Sequence, residues 1–269
     1  MKKIIILIFF VVFLSISLLI FKQNEKEIVI KNIDPYSIYP FYKSKLRDEY
    51  IAYQEKTGYS IRQSIINVNI GLNKPFYIDT HESQRKNTFE ILVNKYNYLK
   101  ENYFPNDLVD VDKYSDGNIA LNKIARDAFY EMAEAIQKEG MHIRIISGYR
   151  SFAYQQRLYN NYLKSDSQEE VDSYSARPGY SEHHTGLSVD IDNGVIDYNR
   201  FHVTKEYDWM QKNAHKYGFI LRYPLGKEKI TGYKYEPWHY RYVGKDIARY
   251  IHDNDITFEE YYYEFIDIK

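Results

Sequence analysis

The clearest periodic signal in the chain lies between Leu121 and Lys138, where Leu121, Ile124, Ala125, Ala128, Phe129, Met132, Ala133 and Ile136 recur at the i, i+3, i+4, i+7 spacing of an amphipathic helix, with Gly140 as its stop. The alternating run His142-Ile143-Arg144-Ile145-Ile146 then predicts a strand that delivers Ser147-Gly148-Tyr149-Arg150 at its end. A second helix is predicted from about Ser151, with Tyr154, Leu158 and Tyr162 along one face, and the Ser/Asp/Glu-rich stretch from Lys164 to Tyr180 reads as a long loop. Farther on, Leu187, Val189 and Ile191 alternate with Ser188, Asp190 and Asp192, so a strand there buries one face and presents two carboxylates and a hydroxyl on the other. Trp209, Met210, Asn213, Ala214 and Tyr217 form another helical face closed by Gly218. Phe219 to Tyr223 reads as a strand, and after a turn near Gly226 a tyrosine-rich strand is expected through Tyr233 to Tyr242. Helices and strands alternate without a βαβ rhythm, which predicts an α+β domain with a mostly antiparallel sheet and flanking helices.

Upstream the pattern changes. Ile4 to Phe21 is an uncharged run whose only polar members are Ser15 and Ser17. At about 1.5 Å per residue it spans roughly 27 Å, enough to cross the hydrocarbon of a bilayer. Lys2 and Lys3 precede it, which favours a cytoplasmic N-terminus and an extracytoplasmic remainder. A cleavable signal segment is the rival reading, but no small-x-small site follows Phe21. The expected organisation is a membrane anchor or signal segment over 1–21, a linker over 22–42, a helical extension over 43–91 with helices near Lys43–Tyr53 and Ser60–Asn67, and a catalytic or binding domain over 92–269.

Composition removes several function classes. The 36 Lys and Arg against 37 Asp and Glu leave a net charge of −1 with no basic cluster, which argues against a nucleic-acid partner. The absence of cysteine excludes disulfides and thiolate metal sites. The 30 tyrosines include Tyr233, Tyr235, Tyr240 and Tyr242, for which sheet packing is the plainer use and stacking on glycan or lining the peptide groove the alternative.

Two segments carry chemistry. Ser181-Glu182-His183-His184-Thr185-Gly186-Leu187-Ser188-Val189-Asp190 places an imidazole and a carboxylate on either side of a glycine turn, a spacing compatible with two ligands of one metal. Tyr235-Glu236-Pro237-Trp238-His239 is a short stiff unit that can set an imidazole on a metal and a carboxylate beside its open position. Alone, each is equally a structural hydrogen bond or a surface pair. Together they supply two imidazoles and one carboxylate, a common catalytic zinc set, with a glutamate near enough to accept a proton from water. His81, His142, His184, His202, His215 and His252 lack that context and read as core or surface residues, with His184 the alternative ligand because it adjoins His183.

The ordered set Ser147-Gly148-Tyr149-Arg150-Ser151, Gln155, Pro178-Gly179-Tyr180-Ser181-Glu182-His183, Thr185-Gly186-Leu187, Asp190 and Glu236-Pro237-Trp238-His239 closely resembles the VanY-type D-alanyl-D-alanine carboxypeptidases, from about Leu92 to Gly244. The resemblance implies a zinc peptidase acting on peptidoglycan stem peptides, with Zn2+ held by His183, Asp190 and His239 and with Glu236 as general base. Arg150 would steady the scissile carbonyl or the substrate carboxylate, and Gln155 and Ser181 would contact substrate. An L,D-carboxypeptidase or D,D-dipeptidase on the same scaffold and a non-catalytic peptidoglycan-binding module are the alternatives. Ser188 and His184 depart from the alanine and glutamine frequent in relatives, and residues before Leu92 match only weakly, so the extension is expected to pack or to act as a lid.

Overall fold

A computed structural model describes residues 33–268. The hydrophobic run at 4–21 and the linker up to residue 32 fall outside the described residues, among which no helix is long and apolar enough to cross a membrane.

The periodic segment folds as helix α3, Lys123–Lys138, after α1 (Arg47–Thr57) and α2 (Ile61–Ile70) of the extension. It starts two residues later than its apolar pattern, because Ala120–Asn122 pairs antiparallel with Leu108–Asp110 and the Asn122 side chain caps the helix by accepting from the Ile124 N–H. Ala125, Ala128, Phe129, Met132, Ala133 and Ile136 are buried as the periodicity requires, whereas Ile124 is exposed. Each large apolar side chain on this face contributes about 1.5–3 kcal/mol of burial.

Four strands form the central sheet: β1 (Arg144–Ser147), β2 (Ser188–Asp192), β3 (Phe219–Leu221) and β4 (His239–Tyr242), in the order β1-β2-β4-β3 with every pair antiparallel. In β2, Val189 and Ile191 enter the same core as α3. The polar face of β2 is also buried, since Asp190 is 6% exposed and Asp192 8%.

Two expectations are corrected. The stretch from Lys164 to Tyr180 is not one loop. After α4 (Phe152–Tyr162) it contains α5 (Gln168–Tyr174), capped by the Ser167 hydroxyl on the Glu170 N–H and anchored by fully buried Val171. The tyrosine-rich run is strand only from His239. Glu228–Thr231 is a helical turn, and residues 232–238 are irregular because Pro237 has no N–H for a ladder and the N–H groups of Lys234 and Glu236 go to Ser173 O and Tyr223 O. Helix α6 spans Lys205–Asn213, and α7 spans Lys245–Asn254.

Within the stretch read as a linker, Tyr36 and Phe41 are buried. They join Ile65, Ile66 and Ile70 of α2 in a second core with Val243, Ile247, Ile251, Phe258 and Tyr262 from the C-terminal part of the chain. The extension is therefore sewn to the far end of the sequence. Lys95 ties it to the sheet domain: 3% exposed, its Nζ donates to the carbonyls of Asp172 and Gly232, both at 2.6 Å, and lies 4.9 Å, 5.4 Å and 4.5 Å from the ring centres of Phe76, Tyr77 and Tyr233.

Burial pulls the Lys95 ammonium down to about 8, against the attraction of Asp172. Because the folded value lies below the unfolded one, the unfolded chain binds the extra proton between pH 8 and the ordinary lysine range, and stability rises with pH across that window. Denaturant unfolding at pH 8.0 and 9.5 is expected to give a gain of at most about 1.4 kcal/mol per pH unit from this group, and Lys95→Met is expected to remove it. A variant with the same slope as the parent would contradict this assignment.

Candidate active site

The sheet register assembles the site. Asp190 on β2 stands directly opposite His239 on β4 and, across a bulge, opposite Ser147 on β1, so three polar positions line up on one face of adjacent strands. His183 comes from a one-turn helix, Glu182–Thr185, that Gly186 ends at φ 70°, in the left-handed region open to glycine. Its ring is aimed by Nδ1, which donates to Gly148 O at 2.7 Å. Gly148 is required there, since a Cβ would sit 2.6 Å from Ile119 Cγ2 and 2.7 Å from Ala120 O.

The side chains of His183, Asp190 and His239 are buried, and one ligand atom from each lies within 4.8 Å of the others. His183 Nε2 is 3.3 Å and His239 Nδ1 3.2 Å from Asp190 Oδ1, an oxygen buried with no hydrogen-bond partner. With Nδ1 protonated toward Gly148, His183 turns a lone pair inward, and burial, aided by Arg150, pulls its pKa down to about 4, so it is neutral near pH 7. His239 shifts the other way. Burial opposes its protonation, but Asp190, Glu182 and Glu236 overcome that and push it up. Converging lone pairs, an orphaned carboxylate oxygen and a local demand for positive charge fit a divalent cation, and the N/O donor set fits zinc.

Glu236 Oε2 is 3.4 Å from His239 Nδ1, beside this cluster. Burial pushes its carboxyl up to about 8, with His239 opposing and Asp190 adding to the shift. Arg150 Nη2 contacts Asp190 Oδ2 at 2.5 Å, and its Nε donates to Ser147 Oγ at 3.0 Å, so its fork is held at the site's edge. Gln155 and Ser181 are buried and line the same cavity of about 550 Å³, together with Tyr154, Tyr162 and Tyr198. Gln155 Nε2 is committed to Ala176 O at 2.8 Å, while its Oε1 is buried without a partner. A larger depression of about 660 Å³ lies elsewhere, lined by Asn87, Lys123, Glu131 and Lys245 among others; its lysines pair with Asp127 and Glu131, and it holds no converging donor set.

His184 does not join the cluster. Its Nε2 donates to Tyr103 O at 3.1 Å, and its ring packs against Tyr103, Tyr149 and Phe152. Tyr240 and Tyr242 are core residues, Tyr233 is buried and lines the site cavity, and Tyr235 bonds Tyr207.

Behind the donors lies a layer that sequence reasoning did not identify. Glu182, Arg222, Arg241 and Glu259 are each at most 1% exposed and paired with one another. Burial drives the Glu182 carboxyl upward, yet Arg222 and Arg241 hold it well below the usual range. Tyr223 packs on the His239 ring at 4.8 Å. The available signal was Arg241 two positions from His239, on the same strand face and amid tyrosines, where a solvent-facing arginine would be out of place.

The VanY D-alanyl-D-alanine carboxypeptidase family profile matches residues 118–245. YodJ of Bacillus subtilis (strain 168) is 40% identical over 223 residues, covering 78% of this chain and 82% of that protein. The solved LdcB LD-carboxypeptidase is 44% identical with a TM-score of 0.61, covering 64% of this chain and 85% of its own. A vancomycin-resistance D,D-pentapeptidase VanY in complex with Zn(II) is 31% identical with a TM-score of 0.55, covering 64% and 97%. With one relative matched over most of its length and the family profile lying over the metal cluster, the chain belongs to the VanY family of D-alanyl-D-alanine carboxypeptidases, which are zinc metallopeptidases.

Proposed function

We propose that this protein is a zinc D,D-carboxypeptidase that removes the terminal D-alanine from peptidoglycan stem peptides. The observation that carries the reading is the meeting of His183, Asp190 and His239 in one buried cavity that also holds Glu236 and Arg150. His183, Asp190 and His239 would hold the zinc, which would supply Lewis acidity toward a peptide carbonyl and bound water.

The chain's own groups do the rest. Glu236, buried beside the ligand set, would in its ionised form take a proton from the attacking water at Oε2 and pass it to the leaving amine nitrogen; its raised carboxyl means that this form gains as pH rises toward about 8, and the positive charge of a bound cation would favour it. Arg150, braced by Ser147 and Asp190, directs the rest of its guanidinium at the carbonyl oxygen or the terminal carboxylate of the substrate. Gln155 and Ser181 line the cavity wall and supply polar side chains for contact with the substrate. The cell-wall substrate implies action outside the cytoplasm, with residues 4–21 holding the chain to the membrane.

A second reading, L,D-carboxypeptidase activity on tetrapeptides, is supported by the higher identity and TM-score to the LdcB structure. Parallel assays on stem pentapeptide and tetrapeptide separate the two. A pentapeptide preference of tenfold or more in kcat/KM is expected, the reverse preference would assign the L,D reaction, and binding without turnover of either would leave only a peptidoglycan-binding module.

Glu236→Gln is expected to lower kcat by about 10²–10⁴-fold while one zinc per chain remains bound, as measured by metal analysis. Loss of zinc together with activity would make Glu236 a structural support of the site instead. Arg150→Met is expected to raise KM by roughly tenfold or more through the lost charge-assisted contact, and an unchanged KM would remove Arg150 from substrate binding. Chelation should abolish turnover and zinc should restore it; chelator-resistant release of D-alanine would overturn the metal reading.

A further inference from the structure

Glu182 adjoins one proposed metal ligand, His183, in sequence, yet its carboxylate faces another, His239. Its Oε2 lies 3.8 Å from His239 Nε2, and both atoms are buried with no hydrogen-bond partner. Two orphaned polar atoms of complementary chemistry facing each other in a dry interior carry a penalty that a small movement removes. The imidazole's other nitrogen, Nδ1, is the one turned toward Asp190. An N–H on Nε2 directed at Glu182 would leave the Nδ1 lone pair free for a cation.

The carboxylate has little freedom to move away. Its Oε1 accepts from Arg222 Nε and Arg241 Nη1, both at 2.9 Å. The remaining edge of Arg222 is occupied by Glu259, whose two oxygens accept from Nη1 at 2.8 Å and Nη2 at 2.6 Å. Arg241 is fixed in turn by Nη2 donating to Ile91 O at 2.7 Å. Glu259 belongs to a helical turn, Phe258–Tyr261, whose N-terminus is closed by a Thr257–Glu260 capping box. That turn follows the region matched by the family profile, which ends at residue 245. If Glu259 lost its charge, the Arg222 fork would be free to engage both oxygens of Glu182 and draw Oε2 away from His239.

We infer that Glu182 is a positioning residue that fixes the tautomer of His239, with Nε2 protonated and Nδ1 presented to the metal, and that Glu259 of the C-terminal turn keeps Glu182 in place through Arg222. This rests on the metal-site reading proposed above. Hydrogen-bond partners behind a ligating imidazole generally set its orientation and basicity, and their removal costs about 10- to 100-fold in metal affinity.

The test uses the full chain, with zinc itself as the probe, in competition against a chromophoric chelator. Glu182→Gln is expected to weaken zinc binding by about 10- to 100-fold, and Glu259→Gln, which touches nothing in the cavity, to weaken it in the same direction by a smaller factor. Long-range proton–nitrogen NMR on the zinc-loaded wild type, labelled at histidine, needs no variant to fold and is expected to show His239 with a protonated Nε2 and a metal-shifted Nδ1. Zinc on Nε2, or wild-type affinity in both variants, would overturn the inference and leave the proposed function standing. A wild-type chain that binds no zinc would overturn both.

Discussion

A carboxylate shut inside a sheet is the constraint around which this molecule is arranged. Asp190, 6% exposed on the central strand, carries a charge whose burial would cost several kcal/mol without compensation. Arg150 meets one of its oxygens, and two imidazole nitrogens flank the other. The antiparallel register sets Ser147 and His239 on either side of it, and the Ser147-Gly148 turn, too tight for a Cβ, delivers both the carbonyl that aims His183 and the arginine that grips Asp190. A divalent cation bound there, as proposed, would complete the compensation, so the same arrangement that stabilises the buried charge would also prepare the chemistry.

A second electrostatic layer sits behind the first. Two carboxylates, Glu182 and Glu259, and two guanidiniums, Arg222 and Arg241, form a cluster of no net charge, nearly inaccessible to solvent. Such a cluster contributes little net stability compared with apolar packing, but removing one member strands the others, which makes it a device for holding geometry. Its dryness depends on distant parts of the chain: Ile91 and Phe89 offer carbonyls to Arg241, Asn94 donates to Glu259, and the core shared by the extension and the C-terminal helices packs alongside. The segments flanking the family region thus help to bury and hydrogen-bond the charged layer behind the candidate ligands.

Much of this was legible in the residues. The helix through Phe129 and Met132 and the strand through Val189 and Ile191 follow directly from apolar spacing, because each buries a face whose period the sequence displays. The meeting of His183, Asp190 and His239 was legible because glycine and proline restrict the backbone around these residues. Helix α5 was hidden by its polar composition, although Ser167 and Glu170 stand at capping distance, because Val171 is its one buried side chain. The tyrosines misled for Tyr233 to Trp238, since strand propensity cannot register that Pro237 and the bonds from Lys234 and Glu236 divert that segment from the ladder. The Glu182–Arg222–Glu259 pairing was not readable at all. It joins residues 40 and 37 positions apart, and nothing in local pattern says which charged side chains will meet in the interior.

The most direct test of the central claim is the position of the metal itself, from anomalous scattering at the zinc edge in crystals of the zinc-loaded chain. A single peak about 2.0–2.2 Å from His183 Nε2, Asp190 Oδ1 and His239 Nδ1, with Glu236 beside it and not ligating, is the predicted result. A zinc bound elsewhere, or those three side chains remaining together with no metal between them at saturating zinc, would contradict the account.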